Sequence, residues 1–215
     1  MLKRVANIRD PKSWASKMRR QRLRLFEDLL SGLPRPVRVI DIGGSRLFWE
    51  ATGFDRRGIH ITLVNLDEGT FEEEGFSAVV GDARHLDFSA NAFDVAFSNS
   101  VIEHVGGAID RQMMAADVLR VAPRYFVQTP NRGFPLEPHF LFPMFQFLPF
   151  SLQWRLAFHL HLGWEEMPTP KRAMEAVKSI HLLTKADLVA LFPGARIYEE
   201  KVLGLTKSFV AYGGW

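Results

Sequence analysis

The sequence contains no cysteine among its 215 residues, which excludes disulfide bonds and thiolate chemistry. It has no uninterrupted stretch of about 18 apolar residues, so no membrane-spanning helix is expected. The sequence also lacks a large excess of either charge, since its formal net charge at pH 7 is only +3. We therefore expect no nucleic-acid partner. The first ten residues are charged and no apolar segment follows, so we expect no signal peptide and a cytoplasmic location.

The composition, with 47% hydrophobic and 24% charged residues, is that of an ordinary globular protein. A chain of this length is long enough to bury a proper core. There is no internal repeat and no low-complexity linker. We therefore interpret residues 1–215 as a single domain.

Residues 12–32 have the apolar spacing of an amphipathic helix, which Gly32 and Pro34 end. This segment holds much of the basic excess, and two interpretations remain. The favoured one packs the helix over a cofactor bound by the domain, with its arginines in water. The other lays it on an anionic membrane surface through Trp14 and Phe26. The basic residues of the segment are Lys17, Arg19, Arg20, Arg22 and Arg24.

Apolar strands and helices alternate from residue 37 onwards, which predicts an α/β fold with a mostly parallel sheet covered on both faces. A helix over 108–121 is expected to bury Met113, Met114, Ala116, Val118 and Leu119. An antiparallel hairpin is expected at the end, from Ala195–Val202 and Lys207–Tyr212. The five predicted parallel strands are Val37–Ile40, His60–Val64, Ser77–Val80, Phe93–Phe97 and Tyr125–Gln128.

Residues 131–181 form an insertion that is rich in phenylalanine and proline. Closely spaced prolines forbid one long helix, so short helices and turns are expected, with a helix from Ser151 to Leu162. We interpret the insertion as a lid or an acceptor-binding segment. Residues 182–215 then supply a terminal helix and the hairpin.

Each of the first four strands is followed by polar or glycine residues. Ligands of open α/β sheets bind at the carboxyl ends of the strands, so these residues are expected to lie close together. Glycines there let the backbone approach a ligand, while carboxylates and amides can hold hydroxyl or amino groups. The four segments are Asp41-Ile42-Gly43-Gly44-Ser45, Asn65-Leu66-Asp67, Gly81-Asp82-Ala83 and Ser98-Asn99-Ser100.

These motifs resemble those of the class I S-adenosylmethionine-dependent methyltransferases, in the branch with a Phe-Asp-Val and Glu-His pattern around the fourth strand. The resemblance covers residues 37–130. It implies a Rossmann-like sheet of seven strands, the last antiparallel, and S-adenosylmethionine as cofactor. It also implies a site for each part of the cofactor: Asp41, Gly43 and Gly44 at the methionine part, Asn65 and Leu66 at the ribose, Asp82 and Ala83 at the adenine, and Asn99 and Ser100 beneath the sulfonium.

The chain departs from the family pattern twice. Ser45 and Leu47 stand where further glycines are usual, so the loop has a different shape or uses the Ser45 hydroxyl. Asn65 replaces the usual acid after the second strand, and Asp67 is an alternative ribose partner. A nicotinamide dinucleotide is the weaker alternative, because Gly-x-Gly-x-x-Gly is absent.

Candidate catalytic residues follow the fourth and fifth strands. His104 is either a general base or a residue that merely begins a helix. Glu137 and His139 either orient and deprotonate an acceptor or fix a lid, and Arg132 is a candidate for binding an anionic group. A metal site of Glu137, His139 and another histidine is not expected, since no recognised ligand spacing is present.

The sequence thus predicts in-line transfer of a methyl group to a small-molecule acceptor, with oxygen slightly preferred over nitrogen by family habit. Two alternatives stay open. One is a peripheral-membrane enzyme that acts on an apolar or lipid-linked acceptor. The other is a non-catalytic scaffold of the same fold. The oligomeric state is not predicted.

Overall fold

The computed structural model describes residues 14–67, 69–164 and 166–215. Its main feature is an eight-stranded sheet, and a separate two-stranded ribbon lies in the insertion. The strands are β1 (Val37–Ile42), β2 (Ile59–Asn65), β3 (Phe71–Glu73), β4 (Phe76–Val80), β5 (Val95–Asn99), β6 (Arg124–Pro130), β7 (Leu136–Glu137), β8 (Phe142–Pro143), β9 (Arg196–Val202) and β10 (Leu205–Gly213).

The strand order of the main sheet is β3-β4-β2-β1-β5-β6-β10-β9. Strands β4, β2, β1, β5 and β6 run parallel, β10 is antiparallel to both β6 and β9, and β3 is antiparallel to β4. The predicted α/β class, parallel sheet and terminal hairpin are confirmed. The expected seven strands are present with β10 as the antiparallel one, and the short edge strand β3 adds an eighth.

Helices cover both faces of the sheet. Successive side chains of a strand point to opposite faces, and both faces are apolar here, so each needs helices to bury it. Val39 packs on the face with the first two helices, while Ile40 packs on the face with the third and sixth. The helices are α1 (Trp14–Ser31), α2 (Arg46–Thr52), α3 (Ala108–Val121), α4 (Phe150–His159), α5 (Pro170–Lys178) and α6 (Lys185–Leu191).

Helix α1 packs on the domain through Phe26, which is fully buried and lies 4.9 Å from the ring centroid of Phe97. The expectation that the arginines of this helix lie in water is wrong for Arg22, which is only 6% exposed. Phe26 also cannot anchor the helix to a membrane, because its side chain is buried in the core of the domain. The side chain of Trp14 lies outside the described residues, as do positions 12 and 13.

Helix α3 spans the predicted residues, but its predicted buried face is partly wrong. Met114 and Val118 are buried, whereas Met113, Ala116 and Leu119 face outwards. The actual buried stripe follows i, i+1, i+4, i+7 spacing, as one face of a helix requires. It consists of Met114, Ala115, Val118 and Val121.

The insertion builds a small core of its own next to the sheet. Phe140 stacks on Phe145 at 4.3 Å between ring centroids, and Ala157 of α4 and Ala173 of α5 pack against them. Helix α4 ends at His159, three residues before the predicted end. None of the helices in the described ranges is long and apolar enough to span a bilayer.

Candidate functional site

A cleft of about 570 Å³ opens at the carboxyl ends of β1, β2 and β4. Its volume lies in the range of small-molecule and cofactor sites. Five of the ten predicted cofactor residues line it: Gly43, Asn65, Leu66, Asp82 and Ala83. The other lining residues are Ile42, Val64, Asp67, Gly81, Arg84, Val101, His104, Val105 and Gly106.

The glycine turn after β1 is shaped by close packing. Gly43 has a φ of +74°, and a Cβ there would lie 2.5 Å from Cγ2 of Val101. A Cβ on Gly44 would lie 1.6 Å from Oδ2 of Asp41, which is fully buried and accepts a hydrogen bond from Nε1 of Trp49. Asp41 and Gly44 therefore pack against each other inside the turn, and Gly43 is the glycine that lines the cleft.

The two departures from the family pattern have structural reasons. Ser45 is the N-cap of α2 and accepts a hydrogen bond from the backbone N–H of Phe48 at 3.3 Å. Asn65 donates from Nδ2 to the carbonyl of Gly44 at 2.8 Å. A carboxylate cannot donate that bond, so the amide ties the end of β2 to the glycine turn.

Asp82 lies at the cleft in a tight turn with Arg84. Its carboxylate accepts from the backbone N–H of Arg84 at 2.9 Å and from Nη2 at 2.6 Å. These hydrogen bonds lower the pKa of Asp82, so the group is an anion at neutral pH. Arg84 also reaches Asp110 at 3.1 Å, which ties this side of the cleft to α3.

Asn99 and Ser100 are half-buried and belong to a hydrogen-bond network that the sequence did not reveal. Arg22 forms two hydrogen bonds of 2.8 Å to the carboxylate of Glu200, and it also donates to Asn99 and, at 2.6 Å, to Gln128. Ser100 donates to the same oxygen of Gln128 at 2.8 Å. Helix α1 and the hairpin thereby fix the end of β5.

A second polar cluster borders the cleft beside His104. The ring of His104 contacts that of His139 edge-on, with 4.8 Å between centroids. Nδ1 of His139 is 2.6 Å from Oε1 of Glu137, whose other oxygen accepts from the backbone N–H of Phe140. Glu103 is fully buried and accepts from the hydroxyl of Thr129 at 2.9 Å. Two segments that are 35 residues apart thus meet at one edge of the cleft.

Burial and pairing shift the pKa values of this cluster in different directions. Burial raises the pKa of Glu103 to about 7. Desolvation and the neighbouring His139 lower the pKa of His104 to about 4, although part of its ring is exposed to the cleft. Desolvation opposes protonation of His139, but the hydrogen bond and charge of Glu137 outweigh it and raise its pKa.

Residues 41–123 match the family model of a methyltransferase domain. The chain is 31% identical over 132 residues to uncharacterized proteins from two strains of Mycobacterium tuberculosis. The match covers 56% of the chain and 45% of each relative, so the chain spans less than half of their length.

Solved structures share the fold. A protein from Pyrococcus horikoshii superimposes with a TM-score of 0.54 at 15% identity, over 96% of this chain and 94% of its own. A structure titled as a SAM-dependent methyltransferase from Methanosarcina mazei gives 0.52 at 16% identity, over 86% and 95%. The chain therefore has the fold of these structures, and residues 41–123 within it match a methyltransferase domain.

A second cavity of about 470 Å³ lies beside this cleft, between the insertion and the start of α3. Glu137 belongs to its wall, so the contacts His104–His139–Glu137 run from the cofactor cleft to this cavity. Its lining mixes aromatic side chains with many polar and charged ones. The polar residues are Arg111, Gln112, Arg132, Glu137, Gln146, Gln153, His181 and Asp187.

Proposed function

We propose that this protein is an S-adenosylmethionine-dependent methyltransferase, and that it transfers the methyl group to a hydroxyl of a small polar acceptor that carries an anionic group. The observation behind this proposal is the chain of contacts His104–His139–Glu137 between the cofactor cleft and the second cavity. One end of that chain meets the site where the methyl group is supplied. The other end meets a cavity large enough for a small molecule.

The residues at the cleft fit the cofactor. Gly43 lines the cleft with bare backbone, since a Cβ there would collide with Val101, and we assign the carboxylate of Asp82 to the adenine amino group. We assign Asn65, Leu66 and Asp67 to the ribose because they line the same cleft. S-adenosylmethionine supplies an electrophilic methyl group when it is bound. The chain's own contribution is to hold the two reactants in line and to exclude water.

We assign the removal of the hydroxyl proton to Nε2 of His139. Glu137 bonds Nδ1 and so fixes the ring and leaves Nε2 as the available nitrogen. A positioned imidazole of this kind contributes about a hundredfold to ten-thousandfold to a proton-transfer step. Such a base suits a hydroxyl acceptor, which supports the slight preference for oxygen over nitrogen.

The guanidinium groups of the second cavity support an anionic acceptor. Arg111 and Arg132 offer several N–H donors to a carboxylate or phosphate, while their charges are balanced in the wall by Glu137 and Asp187. An apolar or lipid-linked acceptor makes no use of these two guanidinium groups, although the aliphatic and aromatic part of the lining can contact it. The best test is a methyl-transfer screen over phosphorylated or carboxylated alcohols and their neutral counterparts. Turnover of the neutral or lipid compounds alone would contradict the proposal.

A lipid surface remains the second candidate because the insertion exposes large apolar side chains. Phe147 and Trp164 are each 50% exposed and Phe150 is 40% exposed. Co-sedimentation with anionic vesicles at low salt separates the two. If the protein pellets with the vesicles and methylates only lipid-linked acceptors, the lipid interpretation replaces the polar one.

Replacing Asp82 with alanine should weaken S-adenosylmethionine binding about tenfold to a hundredfold, because a charged hydrogen-bond acceptor at the adenine is lost. The fold should survive, since Asp82 lies at the surface. Asp55→Ala is a matched control, because Asp55 makes the same carboxylate turn with Arg57. Calorimetry on both variants is the measurement. An equal dissociation constant for Asp82→Ala and the parent would mean that the adenine lies elsewhere.

Replacing Arg132 with glutamine should raise the KM of an anionic acceptor about tenfold to a hundredfold, in line with the loss of one charged hydrogen bond. The affinity for S-adenosylmethionine should stay unchanged, because Arg132 lies in the second cavity. Steady-state kinetics with the anionic acceptor and its neutral counterpart measure this. A KM that rises equally for both would show that Arg132 does not bind the anion.

A further inference from the structure

We propose that Glu103, His104 and His139 bind one divalent transition-metal cation at the border between the two cavities. Each residue offers one ligand atom, and these three atoms lie within 4.8 Å of one another. Two imidazoles and a carboxylate are a donor set that zinc, iron, cobalt and manganese share. In the described ranges, this is the one group of three such side chains with that spacing.

The carboxylate of Glu103 provides an independent argument. Oε2 accepts from Thr129, but Oε1 is buried and has no hydrogen-bond partner among the described residues. A fully buried carboxylate oxygen without a partner costs free energy, and native proteins rarely keep one without a reason. A cation between this oxygen and the two histidines supplies the missing partner.

The histidines are arranged as metal-bound histidines usually are. His139 keeps Nδ1 for Glu137, which is itself held by the backbone N–H of Phe140. A carboxylate on the far nitrogen orients the ring and makes the near nitrogen a better ligand. His104 lines the cofactor cleft, so a cation that it binds lies beside the reacting groups, and three protein ligands leave coordination positions for them. This is the pattern of a catalytic metal site rather than a closed structural one.

The inference rests on the proposed function only for its chemistry. A cation at this point binds the acceptor hydroxyl and lowers its pKa, so the O–H bond breaks, the proton leaves to water and the oxygen keeps the electron pair. Nε2 of His139 then holds the cation, and the cation takes over the task otherwise assigned to that nitrogen. Metal binding itself needs neither the cofactor nor the acceptor.

The test is a titration of the tag-free, chelator-treated full chain with Co²⁺, followed by visible absorption and calorimetry. We expect one equivalent to bind with a ligand-field spectrum, and Zn²⁺ to displace it. Glu103→Gln, which keeps the shape of the side chain, should weaken binding more than about a hundredfold, and Glu137→Gln about tenfold to a hundredfold. His159→Ala, on the exposed end of α4, should bind Co²⁺ like the parent.

Histidine NMR provides a readout that does not depend on catalysis. Diamagnetic Zn²⁺ should shift the imidazole signals of His104 and His139 and leave that of His159 unchanged. A cooperative thermal unfolding transition of each sample serves as the control that the protein is folded. Absence of stoichiometric binding in the parent, or binding that Glu103→Gln retains, overturns the inference. The methyl-transfer screen can succeed or fail regardless of that result, so the two failures are distinguishable.

Discussion

Arg22→Met should lower the free energy of unfolding by about 3–5 kcal/mol, the usual cost of removing one partner of a buried ion pair. The variant leaves the carboxylate of Glu200 buried without its bidentate partner, and Asn99 and Gln128 lose the hydrogen bond from Arg22, so Gln128 keeps only the one from Ser100. The charges of Arg19 and Lys207 remain nearby and offset part of this cost. Denaturant unfolding at pH 7.5 measures the effect.

The size of this loss should depend on pH. Burial disfavours the charged form of Glu200, but the charge of Arg22 and the hydrogen bonds from Arg22 and Ser208 outweigh it and lower the pKa. A lowered pKa in the folded state contributes stability that is present above the unfolded pKa and is lost as the pH falls. Without Arg22, burial prevails and Glu200 can be protonated, so the deficit of the variant should be smaller at pH 5.

The double variant Arg22→Met with Glu200→Gln is the matched control, because it removes both charges. It should recover a large part of the stability that Arg22→Met loses, since an uncharged amide is cheaper to bury than a carboxylate. Equal stability of the single and double variants at pH 7.5 would show that the pair is not the reason for the loss. The network would then be a consequence of the packing of α1.

His139→Ala should lower kcat about a hundredfold to ten-thousandfold, because it removes the group to which we assign the acceptor proton. The affinity for S-adenosylmethionine should change little, since His139 does not line the cofactor cleft. Glu137→Gln should lower kcat by a smaller factor, because the ring stays while its orienting partner loses its charge. Single-turnover kinetics with an acceptor from the screen separate the two.

His159→Ala is the control for this series, since that histidine is exposed at the end of α4 and touches neither cavity. Full turnover of both His139→Ala and His104→Ala would mean that neither residue takes the proton. Catalysis would then rest on the alignment of the reactants alone.

The sequence was sufficient for the fold because its signals are local. Apolar runs predicted β1, β2 and β4 to within two residues at each end, and the 108–121 spacing predicted α3 to the residue. The edge strand β3 was not predicted, because Phe71–Glu73 is only three residues long and mostly exposed. The buried face of α3 was partly wrong because its apolar residues surround the helix.

The candidate site was harder to predict because its parts are distant in sequence. Polar residues after strand ends indicated the cleft, since topology alone brings such ends together. The pair of Arg22 with Glu200 joins residues 178 positions apart, so no spacing shows it. One signal was available: Arg22 lies between Met18 and Phe26 at intervals of four, and a charged residue on an apolar stripe needs a buried partner.

The departures at Ser45 and Asn65 show why a family pattern is not enough. At both positions the family pattern suggested weaker contact with the cofactor. Each side chain, however, makes a local hydrogen bond that the usual residue cannot make: a glycine at 45 has no side-chain acceptor, and an acid at 65 cannot donate. Ser45 begins α2, and Asn65 donates to the carbonyl of Gly44. Beside Asn65, the cleft is lined by four more of the predicted cofactor residues, which are Gly43, Leu66, Asp82 and Ala83.

Calorimetry of the full chain with S-adenosylmethionine and with S-adenosylhomocysteine tests the central claim most directly, since both share the adenosine and the methionine part. The account predicts one site per chain for each ligand, with binding weakened by Asp82→Ala and retained by Asp55→Ala. Absence of binding for both ligands at millimolar concentration would contradict it, and the domain would then be a non-catalytic scaffold of the methyltransferase fold.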